Sequence, residues 1–232
     1  ADVEGAAVHF VHLRRGGTPL ILTHGWPSSF LEYLPLAARL EHFDLVIPSL
    51  PGYGFSERPA VSTTRDVARR WHVLMQGPGY RQYGACGPDF GAAVATYMAL
   101  DDPARMLGIH LSNLDNAPTP TSPLTDAERA YLGAVTDWDA RERGYSVIQG
   151  TRPQTLGYGL TDSPAALAAW VLEKWRLWSD TGGELDARFD RDDLLTLVTL
   201  YWVTTTIGTS IRDYFVNRSH ATAKLTQVVR VA

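Results

Sequence analysis

A mostly parallel α/β sheet with an inserted helical cap is the fold class this sequence predicts, and three observations predict it. Strand-like and helical runs alternate four times between residues 9 and 112. Two of the strand runs, "PLILTHG" (19–25) and "FDLVIPSL" (43–50), are continuous and apolar, as strands covered on both faces require. The alternation stops at Asn116; residues 125–215 then read as helix rich in Trp and Tyr, and strand character returns at 226–232. The expected organisation is residues 1–117 as the first part of the core, 118–215 as the cap, and 216–232 as a return to the core with its last strand incomplete.

Taken in order, "HFVHLRR" (9–15) alternates as a half-buried strand does, and "PLILTHG" follows it as the first buried strand. "FLEYLPLAARL" (30–40) has apolar residues at helical spacing, with Ser28 and Ser29 as candidate caps. After "FDLVIPSL" and the loop "PGYGFSERP", residues 63–75 form an amphipathic helix. Val67, Trp71 and Leu74 share its apolar face, and Thr63 with Asp66 makes a capping box. A strand over 82–87, a helix over 91–101 and a strand over 106–112 complete the pattern. Parallel strands joined by helices cross over right-handed and carry their ligands beyond the carboxyl ends of the strands, where a cap would cover them.

Composition narrows the function classes. The 232 residues are enough for one α/β domain with an insertion. A net charge of −4 without a basic stripe argues against nucleic acid or an anionic membrane as partner. The lone Cys86 excludes a disulfide framework and a cysteine metal cluster, and it fits a cytoplasmic location. No apolar run reaches the roughly 18 residues of a membrane span. No metal or organic cofactor is expected.

The chemistry concentrates in Gly87-Pro88-Asp89-Phe90-Gly91-Ala92. Small residues flank a central residue at the spacing of a nucleophile elbow, a strand-to-helix turn tight enough to force that residue into a strained backbone conformation. The helix that follows aims its N-terminal dipole and free N–H groups at the tip. Asp89 at this tip is ionised at neutral pH without a base to activate it. A carboxylate attacking saturated carbon displaces a leaving group and forms an ester, which water must then cleave with the help of a base. The plainer reading is that Asp89 simply caps a helix. "THGWP" (23–27) favours the first reading, because a strand ending His-Gly-x-Pro can set backbone N–H groups opposite the elbow. The N–H groups of Trp26 and Phe90 would then form an oxyanion hole. The Trp26–Pro27 bond is a candidate for the cis form. His24, Trp26, Pro27 and Phe90 are the expected substrate-pocket residues, with a packed core histidine as the alternative role for His24.

Over nearly the whole chain the sequence resembles the microsomal-type epoxide hydrolases of the α/β-hydrolase superfamily. The resemblance runs through "THGWPSSFLEYLPL", "FDLVIPSLPGYGFS", "YGACGPDFGAAVA", "GYSVIQGTRPQTLGYGLTDSPAALAAWVLEKWRLWSD" and "LYWVTTTIGTSIRDYF". It implies an α/β-hydrolase core with an inserted helical cap and Asp89 as the nucleophile that opens an epoxide. Tyr145 and Tyr214 are implied as hydrogen-bond donors to the epoxide oxygen, and the product as a vicinal diol. The implied substrate is a small apolar or aromatic epoxide from detoxification or natural-product biosynthesis, and a homodimer is left open. Tyr158 and Tyr201 are expected in the core or pocket lining, and Asp162-Ser163-Pro164 as the cap of a helix over 165–178.

The elbow departs from the family's usual Gly-Gly-Asp-Trp-Gly by Pro88 and Phe90. The family's acid and histidine base follow the strand that begins near 226, and its N-terminal meander precedes the first core strand; both are expected to be missing. His220 is expected at the surface. On that reading the chain forms the ester without turning it over. Two alternatives stay open: a haloalkane dehalogenase-like hydrolase, and a catalytically dead homologue that binds a hydrophobic ligand. A serine esterase is disfavoured, as no Gly-x-Ser-x-Gly occurs.

Overall fold

The computed structural model describes residues 1–112 and 123–220. The chain opens with a hairpin of two short strands, β1 (Asp2–Val3) and β2 (Ala6–Ala7), turned at Glu4 and Gly5. Five further strands form one sheet: β3 (Phe10–Leu13), β4 (Thr18–Leu22), β5 (Phe43–Pro48), β6 (Tyr83–Gly87) and β7 (Met106–Leu111). Their spatial order is β3-β5-β4-β6-β7, and only β3 runs antiparallel to its neighbour. The run of fully buried residues Leu45, Val46 and Ile47 in β5 matches the expectation of a strand covered on both faces.

The stretch expected as one helix over 30–40 is instead a 3₁₀ turn (Phe30–Tyr33), capped by Ser29, followed by a single helical turn, α1 (Leu34–Ala37). Pro35 lacks the N–H that a continuous helix would need there. Helix α2 (Thr64–Gln76) has the expected capping box, in which Thr63 and Asp66 each accept the other's backbone N–H. The fully buried Trp71 donates its Nε1 hydrogen to Thr23 Oγ1 at 3.0 Å, locking α2 to the end of β4. Helix α3 (Asp89–Asp101) follows β6 directly, two residues earlier than its expected start.

Among the described residues six helices follow β7 and form a helical layer, termed the cap: α4 (Asp126–Glu142), α5 (Gly144–Gln149), α6 (Pro153–Asp162), α7 (Pro164–Leu177), α8 (Arg191–Thr204) and α9 (Ile207–Ser219). Ser163 caps α7 by accepting from Ala166 N–H, with Pro164 in the first turn. The expected boundary at 215/216 falls inside α9, while the linker at 117–122 and the strand at 226–232 lie outside the described residues. Polar ties fasten the cap to the core. Asn217 Oδ1 on α9 accepts from the N–H of Thr64, and Arg58 donates to Thr205 Oγ1. No described helix is by itself long and apolar enough to cross a membrane.

Candidate active site

The strand order fixes where a site can form. From β4 the chain passes to β5 on one side, then returns to β6 on the other, so β4 and β6 are parallel neighbours at a topological switch point. Thr23 N–H donates to Cys86 O at 2.9 Å, so the loops after these two strands leave the sheet side by side.

At the end of β6, Asp89 has φ +48°, in the left-handed region that a non-glycine residue enters at a cost of about 1–3 kcal/mol. The turn is built by near-contacts that exclude side chains. A Cβ at Gly87 would lie 2.6 Å from Thr23 O, and one at Gly91 only 2.0 Å from the same oxygen. A Cβ at Gly25 would lie 2.5 Å from Asp89 Cβ and 2.6 Å from its Oδ1. Two glycines thus let α3 close on β4, and the third lets the β4 loop touch the carboxylate.

That approach brings Trp26 N–H to Asp89 Oδ1 at 2.9 Å. The Trp26–Pro27 peptide is cis. Cap residues hold the same loop from above: Trp175 Nε1 donates to Pro27 O at 3.2 Å, and Tyr201 Oη to Ser28 O at 2.8 Å. Phe90 N–H lies in the first turn of α3, where a helix offers no internal acceptor.

Asp89, Trp26, Pro27 and Pro88 line a cavity of about 470 Å³ together with Tyr145 and the tryptophans Trp138, Trp175 and Trp178 of the helical region. The Tyr145 ring stacks on the Trp26 indole at 5.3 Å, with 7° between planes, and meets Trp178 at 4.8 Å. Tyr214 stands behind this wall, edge-on to Trp26, Phe90 and Tyr145 at 5.8, 5.0 and 5.6 Å. Its hydroxyl is buried with no hydrogen bond of normal geometry. Burial first, then the nearby Asp89 charge, pushes its pKa well above the usual phenol value.

Two of the four residues expected in the pocket lie elsewhere. His24 is fully buried beneath the loop, its Nδ1 on Gly25 O at 3.0 Å and its Nε2 accepting from Leu50 N–H at 3.1 Å. Burial lowers its pKa to about 4, outweighing the opposing bond to Gly25, so it is a neutral structural residue. Phe90 packs against Tyr214 and borders a much smaller cavity with Asp213. Tyr158, expected in core or lining, is 68% exposed, whereas Tyr201 is in the core. His220 is exposed and bonds its own helix at Val216 O.

Sequence reasoning missed Lys174 and Glu32, which also line the cavity. Lys174 is buried on α7 between Trp170 and Trp178, one turn to either side. That i±4 aromatic spacing was the available signal. Glu32 accepts from Ser28 Oγ, and burial of its carboxyl group raises its pKa despite that bond. Among the described residues no cluster of three or more His, Cys, Asp or Glu side chains could hold a metal ion.

Comparison with known proteins places this geometry. Residues 18–154 match the model of the alpha/beta hydrolase fold, and residues 1–33 match that of the epoxide hydrolase N terminus. The second match takes in the hairpin β1–β2 and the sheet strands β3 and β4. Epoxide hydrolase 1 of Sus scrofa is 35% identical over 91% of this chain and 56% of its own length. The structure of Aspergillus niger epoxide hydrolase superposes with a TM-score of 0.82 at 30% identity, over 93% of this chain and 59% of that one. Juvenile hormone epoxide hydrolase from Bombyx mori gives 0.80 at 32%, with the same coverage of both chains. This chain spans about half the length of the curated relatives it matches. With the elbow, the cis loop and the aromatic cavity wall in place, the chain belongs to the alpha/beta hydrolase fold family, and its first 33 residues match the epoxide hydrolase N terminus.

Proposed function

We propose that this chain carries the ester-forming half of an epoxide hydrolase, acting on a small apolar or aromatic epoxide. The observation that carries the reading is the bond from Trp26 N–H to Asp89 Oδ1 at the edge of an aromatic cavity. It gives the two carboxylate oxygens different tasks. Oδ2 is the attacking atom; Oδ1 becomes the carbonyl oxygen of the ester, already on a backbone donor. When water later attacks that ester, the same donor stabilises the developing oxyanion. The C–O bond of the epoxide breaks toward its oxygen, which takes a hydrogen bond and then a proton from a tyrosine. Tyr145 borders the cavity, and the buried Tyr214 hydroxyl, whose ring meets that of Tyr145, is the second donor. Tryptophan and tyrosine rings line the cavity, and an apolar wall strengthens each of these interactions.

Cleavage of the ester needs a base. His24 is committed through both ring nitrogens and His220 bonds its own helix, so neither is assigned that role. The proposal for this chain is therefore confined to the first half-reaction, with diol release, detoxification or biosynthetic roles and cytoplasmic location belonging to the whole protein.

Intact-protein mass spectrometry after incubation with styrene oxide tests it. The wild type gains one epoxide mass, the adduct maps to the peptide containing Asp89, and Asp89→Asn gains none. Binding of the epoxide without any adduct would favour the ligand-binding homologue. An adduct with a 1-haloalkane, accompanied by halide release, would favour the dehalogenase reading.

A further inference from the structure

We propose that Lys174 is a positioning residue acting through Tyr145: its ammonium favours negative charge on the phenol oxygen as Tyr145 protonates the opening epoxide. The proposal rests on the ester-forming reading above. In the step concerned, Asp89 Oδ2 forms a bond to the epoxide carbon and the carbon–oxygen bond breaks. Its electron pair goes to the epoxide oxygen, which takes the proton from Tyr145 Oη. Tyr145 is left as a phenolate beside an ammonium.

The placement of Lys174 is unusual for a helix lysine. Its side chain is 6% exposed, although its ion-pair partner Glu173 is 53% exposed. A lysine can normally run its apolar stem along a helix and release its charge to water. A surface pair with Glu173 would be satisfied equally well that way. Instead Nζ stays inside, 5.4 Å from the Tyr145 ring centroid, 5.7 Å from Trp170 and 5.8 Å from Trp178. Three aromatic rings offset part of the desolvation cost of the ammonium. Lys174 borders the same cavity as Asp89 and Tyr145, so its largely buried charge acts at short range on the group that donates the proton. The Trp26 indole stacked on Tyr145 holds the ring fixed with respect to both the ammonium and the elbow.

A double-mutant cycle on single-turnover ester formation decides the matter. Lys174→Met is expected to slow adduct formation on the order of 10²-fold, the scale of one unit charge acting across several ångströms at an effective dielectric near 20. The epoxide concentration giving half-maximal rate should change less than about threefold, because the charge acts on the transition state rather than on binding. In a Tyr145→Phe background the same substitution should change the rate less than about twofold. Lys174→Arg, which keeps a cation there, should recover the rate to within about threefold. If Lys174→Met does not fold, judged by circular dichroism, Lys174→Gln takes its place in the cycle. Adduct formation with additive losses, or a Lys174→Met rate equal to wild type, overturns this proposal alone. No adduct in the wild type overturns the ester-forming reading and this proposal with it.

Discussion

Gly25→Ala perturbs Asp89, the proposed nucleophile, without changing it chemically. The added Cβ would sit 2.5 Å from Asp89 Cβ and 2.6 Å from Oδ1, where carbon contacts settle near ~3.5 Å or beyond, so a retreat of about 1 Å is required. The φ of Gly25 is outside the left-handed region, so the backbone torsion is not the obstacle. The loop is also hard to move, since Trp175 and Tyr201 hold the carbonyls of Pro27 and Ser28, and Ser28 N–H donates back to Gly25 O. The carboxylate therefore yields and loses Trp26 N–H, a charge-assisted bond of about 1.5–3 kcal/mol. A misplacement of about 1 Å costs a reaction on the order of 10² in rate. Overpacking of about 1–3 kcal/mol lowers Tm by roughly 2–12 °C for a chain of this size. The assay pairs the rate of styrene oxide adduct formation with a thermal melt, using Gly91→Ala as comparator. There the new Cβ meets backbone, 2.0 Å from Thr23 O, and stability should fall further. A Gly25→Ala protein that forms adduct at the wild-type rate would refute the claim that this glycine exists to admit the carboxylate.

The other predictions concern single groups. Tyr214→Phe removes a buried hydroxyl with no hydrogen bond of normal geometry and leaves the ring packing in place, so the melting temperature should change little. Yet its adduct formation should slow by roughly 10²-fold, as loss of a donor to a developing anion does; equal rates would exclude Tyr214 from the chemistry. Asp44 accepts from Arg15, Gly16 and Gly17 N–H at 2.6, 2.7 and 3.2 Å and from Tyr80 Oη at 2.8 Å, with the Arg15 bond the largest influence, and its pKa is lowered to about 2. The folded value lies below the unfolded one, so Asp44 stabilises the fold above about pH 4, and that contribution is lost as pH falls toward about 2. Asp44→Asn should be less stable at neutral pH and flatten the acid-unfolding curve across that window, measured by circular dichroism.

What the sequence made legible was local. The elbow, the cis bond and the caps at Thr63 and Ser163 depend on a few adjacent residues whose torsions and donors are set by residue type. The helix expected over 30–40 failed for an equally local reason, since Pro35 was outweighed there by apolar spacing. The interior of the site was less legible, because it depends on how six cap helices sit over the sheet. The polar, sequence-adjacent His24 was expected in the pocket, yet the turn of the loop sends it beneath, against Leu50 N–H. Phe90 follows Asp89 in sequence, but on a helix one residue advances the direction by about 100°, which takes its ring away from the cavity wall. Lys174 was hidden by its type, because a lysine in a helix is usually a solvated one.

An aspartate suits this elbow for reasons that reinforce one another. The left-handed backbone at the tip is strained for most residues, and Asp is among those that tolerate it best. The first turn of α3 favours an anion there, where a neutral hydroxyl would have needed a base beside it. The Trp26 N–H then distinguishes two otherwise equivalent oxygens, and Gly25 is the absence of a side chain that lets it do so. Each device lies on an element fixed by the sheet, so the carboxylate proposed as nucleophile is preorganised by the core. Tyr145, the proposed donor, is held differently, by an aromatic stack and a buried ammonium that both come into register only when the cap is seated on the Trp26 loop. Core and cap are thereby coupled at one point. Loosening the bond from Trp175 to Pro27 O should impair proton donation to the epoxide before it impairs the Asp89 carboxylate.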